Sequence, residues 1–88
     1  MKRKTKKRDN EFTPAVRRVV EARCGGRCEV ASQVCTGTGE QHHHRLRRSQ
    51  GGEGTPANDY FCCGPCHTFL HKEVALSYER GWLLRASA

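Results

Sequence analysis

Residues 40–52 of this 88-residue chain read EQHHHRLRRSQGG, and the function that the sequence predicts depends on this segment. Three consecutive histidines run directly into a stretch with three arginines, and a pair of glycines ends it. A nearby arginine disfavours protonation of a histidine, so these imidazoles are expected to stay neutral near pH 7. Neutral imidazole binds metal ions and guanidinium binds phosphate. The segment therefore predicts a site for a metal, an anion or both.

The chain around this segment is too small to be held together by an apolar core alone. Residues 1–12 are highly charged and are predicted to form a disordered basic tail, which leaves residues 13–88 as one domain. A core of that size supplies only about 3–5 kcal/mol, and only 35% of the chain is hydrophobic. Six cysteines are the obvious additional source of stability.

The cysteines are expected to bind metal. No apolar segment of a signal peptide follows the basic start, and no run approaches the ~20 apolar residues of a membrane span. We therefore expect a cytoplasmic protein without a membrane partner. In that compartment paired cysteines bind metal more often than they form disulfides, so a structural zinc ion is predicted.

The charge of the chain favours a polyanionic partner. The net charge is +7, and ten of the sixteen basic residues lie after Asp9, within the body of the chain. Clustered arginine and lysine bind nucleic acid mainly through its phosphates. Nucleic acid is therefore the natural partner, although on charge alone an acidic protein or a membrane surface would fit as well.

Capping and turn residues predict a small α+β domain. The segment TPAVRRVVEARCGG is typical of a helix that Thr13 caps, Pro14 begins and Gly25 ends, with an apolar stripe of Val16, Val19 and Val20. A short strand over residues 41–46 is predicted to pair antiparallel with residues 58–62. CGPCHTFLHKE predicts a helix with Pro65 in its first turn. A last helix is predicted over residues 73–80, ended by Gly81, with Trp82, Leu83 and Leu84 packing back.

The spacing of the cysteines indicates one pair clearly and leaves the other open. Two residues separate Cys63 from Cys66, which is the spacing of a zinc knuckle, so both thiolates can reach one ion. Spacing alone pairs Cys28 with Cys24, because Cys35 is further away. Cys62 is predicted to be buried and outside the site, because adjacent strand residues point to opposite faces.

The five histidines suggest a second metal site. His67 and His71 are four residues apart on a predicted helix and share a face. Strand alternation places His42 and His44 on one face and His43 on the other. Alternation alone would therefore pair His42 with His44, unless the backbone bends or the site straddles the strand edge.

Taken in order, GGRCE, HHHRLRRSQGG, Asn58 with DYFCCGPCH, then His71 and ALSYERGWLL resemble the HNH endonucleases. The likeness is to the small, zinc-stapled phage-type members and covers roughly residues 18–84. It implies a ββα-metal (His-Me finger) domain with a structural zinc knuckle and flanking helices.

The resemblance implies a role for each matching residue. His44 falls on the general base, and Asn58 on the asparagine that orders the hairpin and helps to orient the base. His43, His67 and His71 fall on ligands of the catalytic metal. The structural zinc would be held by Cys28, Cys35, Cys63 and Cys66. In this set Cys35 takes the place of Cys24, the residue that spacing alone indicates. Arg45, Arg47 and Arg48 are expected to bind phosphates beside this site.

The implied activity is metal-dependent hydrolysis of DNA phosphodiester bonds, which leaves 5′-phosphate and 3′-hydroxyl ends. An all-imidazole ligand set favours Zn²⁺, Ni²⁺ or Mn²⁺, and the family also commonly works with Mg²⁺. The alternative is a zinc-stapled nucleic-acid-binding module without catalysis. A third hypothesis is a phage DNA-packaging nuclease that acts with a terminase and portal in the cytoplasm of a bacterial host.

Overall fold

The computed structural model describes residues 11–85, so residues 1–10 of the predicted tail lie outside the described residues, as do residues 86–88. Phe12, predicted to be the last residue of the tail, has only 6% of its surface exposed. The folded part of the chain therefore includes Phe12. Within residues 11–85, no helix has the length and apolar character that a bilayer crossing requires.

The first helix, α1, spans Pro14–Cys24 and has the ends that its sequence predicts. The Thr13 hydroxyl accepts a hydrogen bond from the Val16 amide at 3.2 Å, and Gly25 ends the helix in the left-handed region with φ of 63°. The predicted apolar stripe is only partly buried, since Val20 is inaccessible whereas Val19 is 54% exposed. The reason is that α1 rests on β2 and the turn before it, which cover a narrow face.

The sheet consists of two antiparallel strands, β1 at Gln41–His44 and β2 at Asp59–Cys62. His43 is opposite Tyr60 and His44 is opposite Asp59. The strand predicted over residues 41–46 is thus two residues shorter in the structure. Among residues 11–85, β1 is paired only with β2, so its other edge is open.

The loop between the strands contains two short 3₁₀ turns, at Arg48–Gln50 and Pro56–Asn58. Gly52 closes this loop by packing against the backbone of residues 46 and 47. A Cβ atom at Gly52 would lie 1.8 Å from the Leu46 carbonyl oxygen. Gly51 has a φ of 91° but has open space around its Cα. The two adjacent glycines are therefore required for different reasons, a close approach and a backbone conformation.

Two helices follow the sheet: α2 spans Gly64–Lys72 and α3 spans Val74–Arg80. Ser77 joins them, because its buried hydroxyl lies 2.6 Å from the Leu70 carbonyl oxygen and 2.8 Å from that of Glu73. Gly81 ends α3 in the left-handed region. Trp82 and Leu83 then pack back into the core as predicted, but Leu84 is 36% exposed and does not.

The core of the molecule is unusually rich in sulfur. Its buried cluster consists of four cysteines and four larger apolar residues: Cys28, Cys62, Cys63, Cys66, Val30, Leu70, Trp82 and Leu83. The described part of the chain is thus a small mixed α+β fold with three α-helices and a two-stranded sheet. Its centre lies where the cysteine-bearing loop meets β2 and α2.

The glycine pair predicts an asymmetric response to alanine. Gly51→Ala should cost about 1–2 kcal/mol, the strain of a left-handed alanine. Gly52→Ala should cost more than about 3 kcal/mol, because its methyl group meets backbone that cannot rotate away. Urea unfolding of the zinc-loaded variants measures both values, and equal losses would contradict the predicted clash at Gly52.

Candidate metal centres

Four cysteines converge on one point from two parts of the chain. Cys28 and Cys35 come from the loop between α1 and β1, whereas Cys63 and Cys66 come from the start of α2. Their four sulfur atoms all lie within 4.8 Å of one another. Zn–S bonds of about 2.3 Å in a tetrahedron place sulfurs roughly 3.8 Å apart, which this cluster nearly meets. The cluster can therefore hold a structural metal ion such as zinc.

Backbone amides point at each of these sulfurs. The amides of Ala31, Gly37 and Ser32 donate to Cys28, Cys35 and Cys66 respectively, at 3.2–3.5 Å. The Cys63 sulfur accepts from the amides of both Thr36 and Cys66. Such bonds orient the sulfurs and stabilise thiolates, which are the form that binds zinc. The surroundings of the cluster thus fit the metal.

The acidity of Cys63 and of Cys66 differs. Burial acts to raise the pKa of Cys63, but hydrogen bonds from Thr36 and Cys66 outweigh it and lower this pKa to about 6. Burial raises the pKa of Cys66 to about 12. Hydrogen bonds therefore favour the thiolate at Cys63, burial favours the thiol at Cys66, and a bound cation would favour deprotonation of the whole cluster.

The ligand set agrees with the family resemblance, and the choice of Cys24 from spacing is wrong. Cys24 is the last residue of α1, and its thiol contacts the Glu21 carbonyl oxygen at 3.7 Å, outside the cluster. Cys35 is brought in by the turn-rich loop, which spacing rules do not describe. Cys62 is fully buried and outside the cluster, as predicted, and burial raises its pKa to about 12.

Three histidines form a second cluster on one face of the sheet. His43 comes from β1, while His67 and His71 come from adjacent turns of α2. One ring nitrogen of each lies within 4.8 Å of the others, and the three ring centroids are 4.8–5.3 Å apart. Three imidazoles in this arrangement can bind one metal ion and leave further coordination positions open.

Neighbouring groups prepare these imidazoles to act as ligands. The Nε2 atom of His43 lies 2.9 Å from the Trp82 carbonyl oxygen, which can only accept, so Nε2 carries the proton and Nδ1 is available. Burial lowers the pKa of His43 to about 4, and it also lowers the pKa of His67. Burial and then the charge of Arg47 lower the pKa of His71. All three are therefore neutral at pH 7.

His42 and His44 occupy the opposite face of β1, as strand alternation predicts. The ring of His42 bridges two carboxylates, with Nδ1 at 2.7 Å from Asp59 and Nε2 at 2.8 Å from Glu21. His42 thus joins α1 to the sheet. His44, at the end of β1, stacks on the Phe12 ring with centroids 4.0 Å apart. Alternation therefore gave the right faces, but it is His43 that meets the helix histidines.

Asn58 fixes the chain immediately after His44. Its side-chain oxygen accepts a hydrogen bond from the Leu46 amide at 2.8 Å, and its amide group donates to the carbonyl oxygens of Leu46 and Glu53. The Asn58 carbonyl oxygen accepts from the Arg45 amide at 2.9 Å. This buried asparagine therefore closes the loop between the strands and holds the backbone that follows His44.

The three arginines of the opening segment have different environments. Arg45 donates to the Gly81 and Ala57 carbonyl oxygens at 2.8 and 3.1 Å, and its guanidinium lies 4.6 Å from the centre of the Tyr60 ring. These contacts support the fold, and the role of Arg45 as a phosphate ligand stays a prediction. Arg47 and Arg48 are exposed. Arg47 acts electrostatically on His71, whereas Arg48 lines a groove with His44.

Two contributors to the site were missed from the sequence. Phe12 was assigned to the tail because ten charged or polar residues precede it, and Trp82 was assigned only to the core. Phe12 contacts His44, which is 32 residues away in the chain, and Trp82 contacts His43, which is 39 residues away. The apolar character of Phe12 within a charged segment was the one available signal.

If Cys35 completes the zinc site with Cys28, Cys63 and Cys66, then alanine variants of Cys35 and of Cys24 should behave in opposite ways. Cys35→Ala should lose one equivalent of bound zinc and much of its folded structure, because a structural zinc contributes ~10–16 kcal/mol. Cys24→Ala should retain both. Elemental analysis after gel filtration measures the zinc content, and circular dichroism measures the fold. The reverse result would show that the cluster in the structure is not the zinc site.

Comparisons with protein-family models, curated proteins and solved structures give no match for this chain. Its chemistry must therefore be inferred from its own residues, which form a cysteine cluster suited to a structural metal and a cluster of three histidines beside it.

Proposed function

We propose that the protein is a metal-dependent endonuclease that hydrolyses DNA phosphodiester bonds, with His44 as the general base. The observation that carries the proposal is the cluster of His43, His67 and His71, with His44 next to it at the end of β1. A purely structural role accounts for the cysteine cluster, but it leaves three converging neutral imidazoles without a use. The order strand, strand, helix agrees with the ββα-metal domain that the sequence resemblance implies.

The faces of β1 suggest how two consecutive histidines serve one reaction. His43 is directed to α2 and His44 to the other face, so one phosphate reaches both only at the edge or end of the strand. The edge of β1 away from β2 is open within the described residues, and β1 ends at His44. A DNA strand crossing this end would place its phosphate between the two histidines.

In this arrangement each residue would have a separate role in hydrolysis. His44 accepts a proton from water as the water oxygen attacks phosphorus. The bond from phosphorus to the 3′ oxygen breaks, and this oxygen takes a proton from solvent to become the 3′-hydroxyl group. Asn58 and the backbone contacts around residues 45 and 46 hold the end of β1 in place. Arg47 contributes positive charge on the His71 side. A divalent cation held by His43, His67 and His71 would offset the charge that develops on the phosphate and the leaving oxygen.

The central experiment is cleavage of supercoiled plasmid by the zinc-loaded protein with Mg²⁺, Mn²⁺, Ni²⁺ or Zn²⁺. Wild-type protein should nick or linearise the plasmid, and His44→Ala should reduce the rate about 10²- to 10⁴-fold, the contribution of a general base. His44→Ala should still shift the plasmid on a gel. Cleavage that survives in this variant would show that His44 is not the base.

Removal of the second metal is better achieved by substitution than by chelation. A chelator also competes for the ion of the cysteine cluster and would unfold the protein. His67→Ala should abolish cleavage, lower the metal content by one equivalent and retain the circular dichroism spectrum. A wild-type protein that binds DNA but cleaves with none of the four metals would instead identify a nucleic-acid-binding module.

A further inference from the structure

A groove lies on the side of the sheet opposite the histidine cluster. Its volume is about 560 Å³, and its lining comes from α1, β1 and the segments beside them: Glu11, Phe12, Arg17, Glu40, His42, His44 and Arg48. This volume is within the range of ligand-binding clefts. Because His44 lines it, any strand leaving the proposed scissile position on this side would enter this groove.

Two exposed arginines from separate elements border the groove. Arg17 is on the first turn of α1, and Arg48 follows β1 in the chain. The Arg17 guanidinium has no hydrogen bond or ion pair with another residue in the range 11–85, unlike Arg23, which is bonded to Glu29 and to two backbone carbonyls. A guanidinium that has no partner among residues 11–85 and lies beside a groove is well suited to bind phosphate.

The acidic residues of the groove do not prevent such binding. The Glu40 carboxylate accepts a hydrogen bond from the Gly64 amide at the start of α2, at 3.0 Å. Glu11 is 3.6 Å from Arg48, and both side chains are about half exposed. An exposed pair of this kind is weak, so a phosphate can displace Glu11 from Arg48.

We propose that this groove binds the backbone of the DNA strand beyond the scissile phosphate, with Arg17 and Arg48 as ligands of its phosphates. The inference rests on the proposed nuclease function, and it adds a residue of α1 to the substrate interface. The strand would pass Arg47 on the histidine-cluster side, cross the end of β1 at His44, and continue between Arg48 and Arg17. The substrate is therefore a polynucleotide that occupies both faces of the sheet.

Arg17→Ala and Arg18→Ala provide a matched test. Both remove one exposed charge from the first turns of α1, but only Arg17 lines the groove. For a duplex oligonucleotide, Arg17→Ala should lower kcat/KM roughly three- to fivefold and reduce the slope of log kcat/KM against log salt by about one. Arg18→Ala should have little effect. Equal effects would show diffuse attraction and overturn the proposed groove.

A minimal substrate distinguishes this inference from the proposed function. Bis(p-nitrophenyl) phosphate carries only the scissile phosphodiester, so Arg17→Ala should hydrolyse it at the wild-type rate. A loss on this substrate as large as on DNA would overturn the inference, because Arg17 would then act at the reaction centre or on the fold. Glu11→Gln should strengthen duplex binding, and weaker binding would contradict the competition with phosphate.

Wild-type protein that cleaves neither substrate would refute the nuclease and leave the groove to be judged by binding alone. Fluorescence anisotropy with the same duplex then decides it. Weaker binding by Arg17→Ala than by Arg18→Ala would support the groove, and equal binding would refute it.

Discussion

The convergence of four cysteine sulfurs is the interaction on which the rest of this structure depends. Three of these cysteines also belong to the buried core, so the candidate metal site is part of that core. Cys63 has a further role, because its sulfur caps the start of α2. The contact that closes the metal site thus also begins the helix that carries His67 and His71. A metal ion bound by these four sulfurs would therefore stabilise the core and the start of this helix together.

The position of the histidine cluster follows from the cysteine cluster and from the alternation of side chains along the strand. Cys63 places α2 directly after β2, and the four-residue spacing of His67 and His71 turns both toward the sheet. His43 is the residue of β1 that faces this helix. His42 and His44 necessarily face away, and the two positions have separate uses: one ties α1 to Asp59, the other borders a groove. Three adjacent histidines therefore have three different environments.

Local signals in the sequence predicted local structure well. Thr13, Gly25 and Gly81 mark helix ends through their own side-chain chemistry or backbone freedom, which needs no knowledge of the fold. The choice between Cys24 and Cys35 is different, because it depends on where an irregular loop of sixteen residues brings its thiols. Spacing favoured Cys24, yet the helix keeps that residue at its own carbonyl groups. Only the likeness to a whole family pattern supplied this long-range information.

The arginines show most clearly why composition alone cannot locate an interface. Arg23 and Arg45 carry the same guanidinium group as Arg17 and Arg48, but theirs bridge backbone carbonyls across 33 to 36 residues. Those carbonyls lie in a 3₁₀ turn, at the first residue of β2 and just after α3, at or near the ends of short elements, where backbone groups often need partners from outside the element. A small domain with few strands has many such carbonyls and uses arginine to join them. Within residues 11–85, the charge available to a polyanion is therefore smaller than the sequence count suggests, because some of the guanidinium groups are already bonded within the fold.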